Sequence, residues 1–360
     1  MTTSHLAAFF HEGQARYQAA MSGVPDRVPV FAQLHEFAAK QLHISPRVFY
    51  TKPDLLVQGT LEVTAAYNID VAVLDYDVYN IEAEALGQEI IYSDDFIPDV
   101  NRSKPLIREK SDLNKIRTPN FDRDGRLPAV LEMHRLFQEL TNGLPGTPGF
   151  CAPFSLAVNL RGFEQLLMDI YTDPEFAKVL FIRITDDVLV PWIQRLQQAC
   201  PGVESICGSD AWTSLPILSP DIIRTWGVPF VERIQEQCQV KVYVPNWIGE
   251  AFLKNPEEML DLKMRVCPSF VEGQDPDVEK LGPSFYKAYA LKNERPLVLG
   301  IGAAFLAQAT PEQIRTRVHD YIKVGGASGG LALYLCSLNT TTPPENVKAA
   351  IQAVRDFGTY

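Results

Sequence analysis

The chain is poor in the features that would assign it quickly. Its six cysteines (151, 200, 207, 238, 267 and 336) include no CxxC pair, so neither a finger-type metal site nor a disulfide framework is expected, and a reducing cytoplasm is implied. No apolar run approaches the ~18 residues needed to cross a bilayer. The N-terminus lacks a basic segment followed by a long apolar core, so no signal peptide is expected. No G-x-G-x-x-G turn follows the first strand-like run, which counts against a dinucleotide-binding open sheet. Positive charge is also short: 33 Lys and Arg face 44 Asp and Glu, for a net charge of −11. That balance argues against nucleic acid or an anionic membrane as partner. What remains is a cytoplasmic globular chain of 360 residues, 46% hydrophobic, able to bury a large core.

Short apolar runs alternate with longer amphipathic ones. The strand-like runs are 28–34 (VPVFAQL), 71–74, 149–154, 204–207, 240–244, 269–271, 297–301 and 331–335. Helical patterns over 52–67, 127–141, 156–169, 174–199, 220–238, 256–264 and 311–325 separate them. Residues 82–127 read as an inserted hairpin and loop, and residues 1–27 as a helical extension outside the repeat. Strands alternating with helices give a parallel sheet, and eight such units predict a (β/α)8 barrel spanning 28–360. Its active site is then expected at the C-terminal strand ends.

Those ends collect His35 and Glu36, Asp75 and Asp77, Cys151 to Phe154, Ser209 to Trp212, Asn246 and Trp247, Glu272 and Asp275, and Cys336 with Asn339. Carboxylate, imidazole and thiolate are the groups that bind zinc. Asp75 and Asp275 read as capping or solvated acids, and Cys238 and Cys267, placed before their strands, as structural. For Cys336, a buried packing thiol and a functional ligand are equally compatible with the pattern.

The residues also carry a resemblance. GIGAAFL, ATPEQI and TTTPPENVKAAIQAVRDFG in the C-terminal third resemble the uroporphyrinogen decarboxylase superfamily. So do GFCAPFSLAVNLRG, DIYTDPEF and SDAWTSLPILSPDIIRTWGVPF. The superfamily is a (β/α)8 barrel and holds both decarboxylases and corrinoid-dependent methyltransferases. Asp77 matches its pyrrole-binding aspartate. The arginine-rich N-terminal motif that meets the substrate's carboxylates is replaced here by FAQLHEFAAKQL, the family tyrosine by Asn159, and the family histidine by Cys336. Burying a polycarboxylate without cations is expensive, so porphyrin decarboxylation is not favoured.

The resemblance to the methyltransferase branch implies a zinc-binding cysteine at Cys336, six residues before Thr342-Pro343. The His-x-Cys of the coenzyme M enzymes is absent from VKVYVPNW. Asp210 and Glu36, or His35, are the remaining zinc candidates by barrel position. The implied function is methyl transfer from a small methylated substrate, an aryl methyl ether, to the cobalt of a separate corrinoid protein. Asp77, Asp210 and Asn246 are the expected catalytic residues; His35, Phe154, Asn159, Trp212 and Trp247 the expected substrate contacts. A homodimer fits the superfamily. Two other readings stay open: a decarboxylase, and a catalytically silent barrel that binds a tetrapyrrole or corrinoid protein.

Overall fold

The computed structural model of the chain describes residues 3–360. Its strands are β1 (Val30–Ala32), β2 (Ile90–Ile91), β3 (Asp99–Val100), β4 (Gly149–Cys151), β5 (Ser205–Ser209), β6 (Lys241–Tyr243), β7 (Val271–Gln274), β8 (Leu297–Ile301) and β9 (Leu331–Leu335). β7, β8, β9 and β1 form one parallel arc in that order, and β4, β5 and β6 form a second. The run expected at 71–74 contributes a single parallel bridge, Val71 to Phe31, beside β1. Each of the eight expected strand positions is thus occupied in barrel order. Among the described residues the backbone ladder is interrupted between that bridge and β4 and between β6 and β7. Side chains span both gaps. The Tyr76 hydroxyl bonds the N–H and the C=O of Gly149, each at 2.8 Å, and the Tyr243 ring meets Phe270 edge-on at 5.6 Å.

Strand alternation divides the apolar residues into two cores. Leu331, Leu333 and Leu335 of β9 point outward to the helical layer, with Leu297, Leu299 and Ile301 of β8. Ala332, Tyr334 and Cys336 point into the bore, with Val298, Cys267 and Phe270. The helix Thr3–Ser22 lies across the N-terminal end of the barrel, where Tyr17 and Met21 pack against the bore. Tyr17 meets Phe31 edge-on at 5.8 Å, and Phe31 stacks on Tyr334 at 4.8 Å. Asp70 anchors this end: buried, it pairs with Arg16, Arg27 and Arg355, gathering the first helix, the entry to β1 and the last helix.

The helical pattern 311–325 matches Pro311–Gly325, opened by a Thr310–Gln313 capping box. The run expected as one helix over 156–169 is two, Pro153–Arg161 and Phe163–Thr172, divided at Gly162, whose φ of 85° is left-handed. The inserted segment forms the antiparallel hairpin β2–β3 and then the helix Leu127–Leu140. No described helix is long and apolar enough to cross a membrane.

Candidate active site

At the C-terminal strand ends a cleft of about 580 Å³ opens between the barrel and the β2–β3 hairpin. Asp77, Tyr79, Asn80, Asn159, Ala211 and Trp212 line it from the barrel, and Ile91, Phe96, Ile97, Val100 and Arg102 from the insertion. The Trp212 ring stacks on Phe163 at 4.9 Å, and the Arg102 guanidinium lies 5.4 Å from the Trp212 centroid. The hairpin is tied down by backbone bonds to buried side chains. Glu36 accepts from the Ile97 N–H at 2.7 Å, and the Asn80 amide donates to the Pro98 carbonyl at 2.8 Å.

Asp77 sits at the base of this roof. It accepts from Asn80 at 2.7 Å and from Arg126 at 2.8 Å, and Arg126 also pairs with Glu84. Burial raises its pKa above the ordinary carboxylate value, and the Arg126 charge pulls the other way. Both Asp77 oxygens are therefore engaged, and its charge is matched inside the protein.

Asp210 is completely buried and held by neutral donors: the Ser155 N–H at 3.0 Å, the Ser155 hydroxyl at 2.6 Å and the Thr213 hydroxyl at 2.8 Å. Ser155 lies in the first turn of Pro153–Arg161, so Asp210 ties the end of β5 to a helix N-terminus. With no cation in that set, burial pushes its pKa up to about 6. Asn246 accepts from the Asp210 N–H at 3.0 Å and donates to the Tyr79 hydroxyl at 3.0 Å. Glu82, deeper below the hairpin, accepts from the Cys151 N–H at 3.2 Å and leaves its Oε2 buried without a partner. Burial pushes its pKa up to about 8.

The structure brings Asp77, Asn159 and Trp212 into one cleft, with Asn246 and Asp210 behind Tyr79. It places other expected site residues elsewhere. Phe154 is fully buried against Phe181 at 5.6 Å, and Trp247 is fully buried in the outer core. Neither faces substrate, because each follows its strand on the side turned to the helices. His35 stands at the end of β1 in a left-handed turn, φ 39°, with Nδ1 3.1 Å from Asp75, whose carboxylate also takes the His35 N–H at 2.7 Å. Burial opposes its charge, but the Asp75 carboxylate raises its pKa overall. Asp75 does cap the helix His35–Gln41, and Asp275 is occupied by Arg317, Tyr321 and the Gly302 N–H.

The expected zinc donors do not gather. Cys336 lies in the bore with its sulfur close over Gly300, where a Cβ would come within 2.6 Å of it. Asp210 has given its oxygens to Ser155 and Thr213, and Glu36 holds the hairpin at Ile97. Among the described residues no three of His, Cys, Asp or Glu stand close enough to share a metal ion. Cys336, Asp210 and Glu36 thus do not fit a common zinc site, and no step is routed through one.

Three positions at the site were not anticipated from the sequence. Tyr79 continues the alternation Asp75, Asp77, Tyr79, which would place it on their side of an extended segment. Arg126 and Arg102 come from the inserted segment, taken as peripheral because it carries no barrel periodicity.

Comparison with known proteins agrees with this architecture. The family profile described as uroporphyrinogen decarboxylase (URO-D) matches residues 13–357. The chain is 24% identical over 371 residues to a uroporphyrinogen decarboxylase of Anaeromyxobacter dehalogenans, covering 95% of this chain and 99% of that protein. It is also 24% identical over 339 residues to a methylated-thiol–coenzyme M methyltransferase of Methanosarcina mazei, covering 86% of each. Among solved structures, a methyltransferase from Methanosarcina mazei superposes with a TM-score of 0.77 at 20% identity, over 96% of this chain and 98% of that one, which shows a common fold. Relatives of both kinds, decarboxylase and methyltransferase, are enzymes built on this (β/α)8 barrel. The chain belongs to the uroporphyrinogen decarboxylase family.

Proposed function

We propose that this protein is a methyltransferase that takes a methyl group from a small aryl methyl ether bound in the Trp212 cleft and passes it to a separate corrinoid protein. One observation carries the reading: the cations lining the cleft are already paired within the protein. Arg102 binds Asp99 at 2.7 Å, and Arg161, in the adjoining cleft beyond Trp212, binds Asp169 at 2.7 Å and the carbonyls of Ile107 and Arg108. Arg126 beneath it is spent on Asp77 and Glu84. A polycarboxylate tetrapyrrole finds no free charge there, whereas a small planar ring finds an apolar slot.

When the partner is docked, its corrinoid supplies the nucleophilic cobalt that accepts the methyl group. This chain's residues bind and orient the ring. Trp212 offers a face braced by Phe163, Asn159 is fixed by its amide donating to the Tyr79 carbonyl at 2.7 Å, and the hairpin keeps water off the ether. Ile91 and Phe96 on the hairpin's outer side are 52% and 65% exposed, an apolar rim beside the opening where a partner can seat.

The test is methyl transfer from 4-nitroanisole to cob(I)alamin, followed by the cobalt absorbance change, in wild type and Trp212→Ala. Turnover in wild type and a loss of about tenfold or more in kcat/KM in the variant is expected. Carbon dioxide release from uroporphyrinogen, with no methyl transfer, would establish the decarboxylase instead.

A further inference from the structure

The cleft continues past Trp212. A second cleft of about 440 Å³ adjoins it, and Val100, Arg102, Asn159 and Trp212 line both. The indole is thus a partition, and Phe163, stacked on it at 4.9 Å, lines only the second of the two. Val158 and Pro105 add apolar surface there. Charge is unwelcome on either sign. Arg161 is buried, its guanidinium taken by Asp169 and by the carbonyls of Ile107 and Arg108, and Glu164 stands exposed at the rim. An entering cation meets the first and an entering anion the second, whereas a neutral ring meets neither penalty. The partition is also lightly held. The Arg102 guanidinium lies 5.4 Å from the Trp212 centroid, and its ion pair among the described residues is to Asp99, with side chains 47% and 51% exposed. So exposed a pair holds weakly, and displacing the Arg102 side chain alone lets a linker pass beside the indole.

We infer that the cleft beyond Trp212 is a second subsite, which takes the far ring of a neutral two-ring aryl methyl ether whose methoxy ring lies in the first cleft. The inference rests on the methyl ether reading and names the substrate class within it. Size points the same way. Pockets of about 300–1,000 Å³ take up drug-sized molecules, and each cleft is already in that range. A single methoxy ring would leave the second one unused. Trp212 is then the specificity-determining residue, since it borders both rings, and Phe163 gives the far ring an aromatic neighbour. The far ring takes no part in breaking the C–O bond. Its burial therefore favours the bound ground state and the transition state alike, which lowers KM and leaves kcat nearly unchanged.

A matched pair of compounds tests this: 1-benzyl-4-methoxybenzene, with two rings, and 4-methylanisole, with one. Titration calorimetry on wild type should show the two-ring compound binding about 10- to 100-fold more tightly, as expected for burying one further ring. In the methyl-transfer assay its KM should be lower by a similar factor, with kcat within about threefold. Gln165→Trp and Pro105→Trp fill the second cleft, one from the first turn of the helix Phe163–Thr172 and the other from the segment after β3. Neither residue belongs to the hydrophobic core, and the two act from different segments, so a folding defect in one does not decide the result. In each, the two-ring advantage should fall below about threefold. No such advantage in wild type, or one that survives in both variants, overturns the second subsite while the methyl ether reading stands. Tighter binding of 4-(4-methoxybenzyl)benzoate than of the neutral compound overturns the neutral assignment. Binding of neither compound by wild type, with no methyl transfer from 4-nitroanisole, overturns the methyl ether reading as well.

Discussion

Asp210 can be tested most sharply, because its environment makes opposite demands on charge and shape. The carboxyl is fully buried and faces neutral donors with no cation, and burial pushes its pKa up from the ordinary 3.8 to about 6. A displacement of about two pH units is worth about 3 kcal/mol, taken as an upper bound. The native state holds a proton that the unfolded chain has already released. The Asp210 contribution to stability is therefore lost as pH rises from about 4 to about 6 and is level above that. Asp210→Asn has no such proton, keeps an oxygen for Ser155, and turns its NH₂ to the Thr213 hydroxyl, which can accept. Urea unfolding of wild type and Asp210→Asn at pH 4 and pH 7 should thus show the variant gaining up to about 3 kcal/mol on wild type between the two. Asp210→Ala removes the acceptor and orphans the Ser155 N–H and both hydroxyls. It should cost about 3 kcal/mol or more at both pH values. A difference between wild type and Asp210→Asn that does not move with pH would refute the reasoning.

Other residues give further outcomes. Glu82, with Oε2 unpartnered and a pKa near 8, should make wild type lose stability from about pH 5 to pH 8. Glu82→Gln should remove the part of that slope above about pH 6, where Asp210 no longer contributes, in the same urea titrations. Arg161, 4% exposed and bonded to Asp169 and two carbonyls, should cost about 3–5 kcal/mol on replacement by Ala, which leaves the Asp169 charge buried; the urea midpoint checks it. Cys336→Ala should carry the same metal content as wild type by elemental analysis. One zinc per chain lost in the variant would overturn the packing role given to Cys336.

The barrel was legible because burial on both faces of a parallel strand leaves a short apolar run that nothing else in the chain imitates. Leu331–Leu335 was read to the residue, and all five positions are buried. Boundaries slipped where hydrogen bonding rather than hydropathy decides. The run at 71–74 is apolar enough for a strand but makes only one bridge, since the chain turns there to deliver Asp75, Asp77 and Tyr79 to the mouth. Of the expected site residues, Asp77 and Trp212 follow strand ends and line the cleft, and Asn159, named from the resemblance, reaches it from the helix Pro153–Arg161. Phe154 and Trp247 were misplaced because facing depends on one residue of register. The zinc set was misread for a related reason: a shared height in the barrel does not bring side chains together. Asp210, Glu36 and Cys336 sit at strand ends but serve a helix N-terminus, a hairpin and the bore wall. Arg126, some fifty residues beyond Asp77, had no local signal at all.

The helix across the N-terminal end of the barrel has a kinetic consequence. Tyr17 and Met21 pack against the bore there, and the cleft lies at the opposite end, at the mouth under the hairpin. In the methyl-transfer reading, small molecule and corrinoid partner must share it. The small molecule has to enter before the partner covers the opening, and its demethylated form has to wait for the partner to leave. Steady-state kinetics with the two varied independently should then follow a compulsory order, and excess partner should inhibit by trapping product behind the closed door.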